Sequence, residues 1–208
     1  SSDLTQVIGP GGDQEGRVLN RVVRRTEKGW EYEPDQRHAE LIVKELGLEE
    51  ANSVDTPGER LKPHEKDKLE DLEPSRASHY RQIAARANYL AQDRPDIMYS
   101  VKEICRGMAK PTNQDWLKLK RLGRYLLGHI RCGVNYDWQG EEEQVKGYTD
   151  SDWGGCQETG RSTSGGTVMI GNHWIRSWSK TQHSVTLSSA EAELVAIDRK
   201  STRLNSSH

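Results

Sequence analysis

The 208-residue sequence predicts an α+β fold, and three observations carry that expectation. Between Ser75 and Gly128 the apolar residues recur at helical spacing. From Gln144 the apolar period shortens to two, in short runs punctuated by glycine and serine. At Ser188 the helical spacing returns, so that three antiparallel strands are followed by a helix, the opening of an α+β domain.

The first element expected is a β-hairpin between Arg17 and Glu33. Its strands are Val18–Arg25 and Trp30–Tyr32, and Gly29 supplies the positive φ that the turn at Thr26–Gly29 wants. A helix follows from about Asp35, where Ala39, Ile42, Val43 and Leu46 share a face and Gly47 is a suitable C′ stop. Ten of the fifteen residues from Glu59 to Glu73 are charged, and Pro63 and Pro74 punctuate the run. Such a stretch buries too little apolar surface to order itself, so a flexible linker is expected there.

Residues 75–140 read as helical. Arg76–Gln92 is rich in alanine, and the chain turns at Asp93-Arg94-Pro95. Pro95 suits the first turn of the next helix, Asp96–Ala109, because its missing N–H would have no intrahelical partner. Thr112 with Asp115 makes a capping box ahead of a third helix, whose stripe is Leu119, Leu122 and Leu126. Val145–Asp150, Gly165–Ile170 and His173–Ser179 are the expected strands, the last two joined at Gly171-Asn172. The organisation expected is therefore residues 1–55, a charged linker at 56–74, helices over 75–140, a sheet and helix over 144–197, and a tail at 198–208.

Composition narrows the function classes. Thirty Lys+Arg against 32 Asp+Glu give a net charge of −2, so any basic surface is local rather than global. The apolar stretches are only a few residues long, which excludes an apolar membrane-spanning helix. From Ser1-Ser2-Asp3 no secretory signal is expected, and the missing initiator Met leads us to expect a fragment. Cys105, Cys132 and Cys156 stand far apart, which argues against a disulfide framework or a zinc site and fits a reducing compartment.

Four stretches carry candidate chemistry. Asp150 and Asp152 stand at the end of a strand, where carboxylates either hold a divalent metal or simply close the strand into a loop. In Ser188–Ala196, Glu191 pairs with Ser188 as a capping box, whereas Glu193 shares a face with Ala190, Ala196 and Ile197. A carboxylate among small and apolar neighbours wants a cation or donor, so Glu193 is the better metal ligand; the alternative is a partly exposed helix edge. Lys110–Arg131 carries six Lys+Arg (among them Lys118, Lys120, Arg121 and Arg124) against Asp115 alone. That face either tracks phosphates or is merely solvated. Lys180 and Gln182, between the last strand and the helix, either donate to a nucleic-acid backbone or belong to a connecting loop.

Taken in order, these segments resemble the Pol polyproteins of copia-type LTR retrotransposons. The resemblance rests on Tyr89-Leu90-Ala91-Gln92-Asp93-Arg94-Pro95-Asp96-Ile97, on Asp115-Trp116-Leu117-Lys118 through Arg124-Tyr125-Leu126-Leu127-Gly128, and on Asp150-Ser151-Asp152-Trp153-Gly154-Gly155. Arg161–Gly165, Ile175–Gln182 and Leu187–Glu193 continue it. The family implies a junction: the end of a reverse transcriptase palm, its thumb or connection helices, and the first half of an RNase H domain. It implies two-metal Mg²⁺ hydrolysis of RNA in an RNA–DNA hybrid, with Asp150 and Glu193 matching two of four carboxylates. The other two, and the polymerase Asp pair, have no counterpart in this sequence, so an inactive fragment is expected. The alternatives are a nucleic-acid-binding piece that does not cleave, or a decayed remnant. The partners implied are an RNA–DNA hybrid or template–primer duplex and the rest of the polyprotein, without a membrane, and the setting implied is intracellular (a virus-like particle in the cytoplasm, or the nucleus). Asp198–His208 resembles a translated sequencing-library adapter, and with Leu204 as its one large apolar residue it is expected to stay outside the fold.

Overall fold

The computed structural model describes residues 8–59, 69–141, 144–156 and 159–204, with the backbone alone for 199–204. The chain forms two compact units, residues 1–135 and 136–208.

The first unit opens with three antiparallel strands, β1 (Glu15–Val18), β2 (Arg21–Arg25) and β3 (Gly29–Glu33). The single strand expected over Val18–Arg25 is in fact split by a turn at Leu19-Asn20, both in the left-handed region (φ 52° and 64°). That pair of positive φ values matches the two-residue turn that right-handed strand twist favours, and Asn tolerates it well. A fourth strand, β4 (Val134–Asp137), adds to β3, and the boundary between the units falls within it. The sequence reading had this stretch as helical; β4 has only four residues, too short to show a period.

Helix α1 (Arg37–Glu45) ends where Gly47 was expected to stop it. Gly47 has φ 63°, its N–H reaches the Lys44 carbonyl (2.9 Å), and the Leu48 N–H reaches that of Val43 (3.0 Å). These two bonds make a Schellman closure. Helix α2 (Pro74–Leu90) starts on Pro74. A 3₁₀ turn at Pro95–Ile97 leads into α3 (Met98–Arg106), which ends three residues earlier than expected. Helix α4 (Asn113–Gly128) has the expected reciprocal capping box between Thr112 and Asp115. Its stripe of Leu119, Leu122 and Leu126 is fully buried, together with Ile42, Tyr80, Ile83, Ile97 and Ile104. Each such leucine contributes roughly 1.5–3 kcal/mol of burial, which makes the contacts among the four helices the core of this unit.

Most of the expected flexible linker, residues 60–68, lies outside the described residues. Its far end is docked. The Leu72 N–H donates to the Pro111 carbonyl (2.9 Å), and the Asn113 N–H to that of Glu70 (2.9 Å).

In the second unit β5 (Val145–Asp152), β6 (Thr163–Ile170) and β7 (His173–Thr181) form an antiparallel sheet in that order. Each extends the predicted strand by two residues. Gly171, at φ 57°, turns β6 into β7. Helix α5 (Ser189–Leu204) packs on β5 and β6. Seven residues of the stretch expected to lie outside the fold continue this helix as backbone, and residues 205–208 lie outside the described residues. No described helix is long and apolar enough to cross a membrane.

Candidate functional site

Asp150 sits in β5 opposite Gly165, with Ser151 opposite Ser164. The Gln182 side chain fixes which face of this sheet meets α5. Its Nε2 donates to Ser164 Oγ (2.9 Å) and to the Ala192 carbonyl on α5 (2.8 Å). Ser164 therefore lies under the helix, and Ser151 with it. Alternation sends Tyr148 and Asp150, both exposed, out of the other face.

Glu193 comes to this strand end from α5. Its Oε1 accepts the Ser151 N–H at 3.2 Å, so the structure brings Glu193 to the residue that follows Asp150. It does so with a different helix face from the one expected. Ala192 and Ala196 are fully buried against the sheet, whereas Ala190 is exposed and Ile197 half-exposed. Glu193 is half-buried at the edge of that packing face, and a backbone N–H satisfies its need for a donor. Asp152 shares Asp150's face, but its Oδ1 accepts the Thr163 N–H, closing the strand. Ser188 Oγ accepts the Glu191 N–H (3.2 Å), while Glu191 reaches back to the Leu187 N–H (2.7 Å) rather than to that of Ser188.

Mg²⁺ demands near-octahedral oxygen ligation, and a two-ion site needs ligands that converge on both ions. Here Asp150 leaves one face of the strand while Glu193 is engaged from the other, and among the described residues no group of three or more His, Cys, Asp or Glu could hold a metal ion. The residues present do not fit a two-Mg²⁺ centre.

Gln182 is not a nucleic-acid contact. It is 1% exposed, and its amide ties the sheet to α5. Lys180 is exposed but lies in β7 itself rather than in a connecting loop, because the strand continues to Thr181.

The basic residues of α4 are largely engaged within the first unit. Lys118 pairs with Asp115 at 2.9 Å. Burial pushes the Asp115 carboxyl up, but Lys118 and the Thr112 cap hold it below its ordinary value. Arg121 donates to Glu59 (2.6 Å) and to Thr56 Oγ1 (2.7 Å), and Arg124 to the Asn52 carbonyl (2.7 Å). Lys110 meets Asp71 (2.9 Å) and Arg131 meets Glu33 (2.6 Å). Counting along the chain set Asp115 alone against six cations; in space Glu59, Asp71 and Glu33 join it. Lys120 is half-buried and has no partner recorded among the described residues.

Sequence reasoning missed the electrostatic centre of this unit. Arg94 is 1% exposed and grips Asp96 with two bonds (2.9 and 2.7 Å), while its third nitrogen donates to the His129 carbonyl (2.9 Å). The Tyr125 hydroxyl completes the Asp96 shell at 3.0 Å. Next door, Asp93 accepts from Arg21 and from the Tyr32 hydroxyl, each at 2.8 Å, tying the β2–β3 hairpin to the turn after α2. The signal was present as three charges around Pro95 between two helices, a place where charge has no solvation role unless it is paired.

The chain is 35% identical over 162 residues to an uncharacterized mitochondrial protein of Arabidopsis thaliana, covering 77% of this chain and 65% of that protein. It is 36% identical over 157 residues to the retrovirus-related Pol polyprotein from transposon RE2 of the same plant, covering 74% of this chain and 10% of the polyprotein. A third relative, the retrovirus-related Pol polyprotein from transposon RE1, is 36% identical over 127 residues, 61% of this chain and 9% of its own length. The chain thus spans about two thirds of the first relative and about a tenth of the polyproteins. No family model matches it, and no solved structure does.

Proposed function

This chain belongs to the Pol polyproteins of copia-type retrotransposons, and on that footing we propose that it is the junction of a reverse transcriptase with its RNase H domain. In this reading the first unit is the end of the palm with the thumb or connection helices, and the second is the opening of the RNase H-like domain. The parent copies RNA into DNA and cleaves the RNA of the resulting hybrid inside the cell. The piece itself holds duplex through α4 and leaves the RNA intact.

The observation that carries this reading is the Glu193 carboxylate on the Ser151 N–H, next to Asp150. It supports the carry-over of both carboxylates from the family resemblance, since the helix carboxylate reaches the residue that follows the strand carboxylate. It also supports inactivity. Two carboxylates leaving opposite faces do not set the geometry of two reluctantly dehydrating ions. The test is labelled RNA in an RNA–DNA hybrid with Mg²⁺, comparing the chain with Asp150→Asn. Equal, background cleavage is expected; Mg²⁺-dependent cleavage that Asp150→Asn abolishes would overturn the proposal of inactivity.

A further inference from the structure

We propose that residues 52–59 form a built-in cover over the basic face of α4, with Glu59 occupying the place of a duplex phosphate on Arg121. The inference rests on the reading of α4 as the duplex-holding helix and names how that site is regulated.

The strap rests on the helical core at one end and on α3 at the other, and Glu59 reaches α4 from its exposed tip. Ala51 and Val54 pack against the helical core, and Ser53 lies so close to Gly128 that a Cβ there would meet it at 3.0 Å. Gly58 likewise approaches Ser100 on α3. Among the described residues, the arginines of α4 find oxygen acceptors along this strap. The Asn52 carbonyl takes Arg124, and Thr56 Oγ1 and a Glu59 carboxylate oxygen take the two terminal nitrogens of Arg121. A guanidinium fork held by two oxygens is the arrangement in which arginine also grips phosphate. Glu59 is exposed, and its side chain is 60% accessible in the pair. Exposed pairs of this kind are weak and screened by salt, so a polyanion presenting several phosphates at once displaces them. Release would free Arg121 and Arg124 beside Lys120, one helical turn apart on the same face.

The experiment measures binding of a short labelled RNA–DNA hybrid to the full chain across a salt series, for the parent, Glu59→Gln, Asp55→Asn and Glu59→Gln/Arg121→Ala. Asp55 is exposed and takes no part in the strap's contacts with α4, so Asp55→Asn reports the effect of one lost negative charge alone. Glu59→Gln is expected to bind several-fold more tightly than Asp55→Asn, with a slope of log affinity against log salt steeper by about 0.9 for the one phosphate newly held. Adding Arg121→Ala should erase that gain. Equal affinity and slope for Glu59→Gln and Asp55→Asn would overturn the cover while leaving duplex binding in place. Persistence of the gain without Arg121 would overturn it as well. Failure of every variant to bind at the lowest salt would overturn both the cover and the duplex-holding reading of α4.

Discussion

Replacing Asp96 by Ala strands a buried guanidinium. In the native chain Arg94 spends two of its nitrogens on Asp96 and one on the His129 carbonyl, and it is 1% exposed. Burial alone would push the Asp96 carboxyl up, but Arg94 and the Tyr125 hydroxyl hold it below its ordinary value, so the pair is ionised in the folded chain. Asp96 itself reaches the surface, so stranding the buried Arg94 charge costs about 3 kcal/mol, the low end of what breaking a buried pair from one side costs. Against a domain stability of roughly 5–15 kcal/mol, that loss removes much of what holds the first unit folded. With a urea slope of about 2 kcal/mol per molar, the unfolding midpoint should fall by about 1.5 M. The assay is urea unfolding followed at the Leu122 and Leu126 amides, which report the first unit rather than an average over both. Arg94→Met with Asp96→Ala should recover most of the loss, since an apolar replacement of the whole pair leaves no orphan charge. A midpoint shift below roughly 0.5 M for Asp96→Ala, or a double variant no better than the single, would refute the reasoning.

Two further outcomes follow from single positions. Glu33 is 4% exposed; Arg131 draws its carboxyl down against the effect of burial, Arg24 adds to this, and the value falls to about 2. Its contribution to stability is complete above the unfolded value of about 4.3 and is lost as pH falls through about 2, so Glu33→Gln should flatten the acid side of the stability curve of the first unit; an unchanged acid limb would count against the pairing. At Gly166 a Cβ would meet the Trp178 ring at 2.3 Å and the Tyr148 carbonyl at 2.7 Å, so Gly166→Ala should destabilise the second unit by about 1–3 kcal/mol and shift the Trp178 fluorescence, and a neutral substitution would show that the ring does not lie over the sheet there.

What the sequence made legible was whatever local chemistry decides alone. Gly47, the Thr112–Asp115 box, the Leu119–Leu122–Leu126 stripe and the Gly171 turn each depend on neighbours within a few residues, and each stands where it was expected. Leu19-Asn20 was missed because leucine rarely adopts positive φ, and the run around it otherwise reads as one strand. The partners of α4 were missed for another reason. Arg121 and Glu59 are 62 residues apart, and no periodicity links them. Gln182 misled because a polar residue at a strand end is ordinarily solvated, whereas this one closes the gap between β6 and α5. Of the candidate site, Asp150 stood out by its strand-end position and Glu193 by its helix face, and the family motif matched both to two of four carboxylates; the structure added that Glu193 reaches the residue after Asp150 while Asp150 leaves the other face of the strand.

That approach rests on one hydrogen bond, from the Ser151 N–H to Glu193. Ser151 lies in an edge strand whose outer N–H groups would otherwise face solvent, so its amide proton reports directly on the helix carboxylate. Hydrogen exchange at Ser151 in the parent chain and in Glu193→Ala measures it. Slow exchange in the parent that becomes fast in the variant, with the Gln182-linked Ser164 unchanged, is the expected result. A Ser151 amide that exchanges fast in the parent, or slowly in both, would contradict the placement of Glu193 beside Asp150 and remove the support on which the proposed function stands.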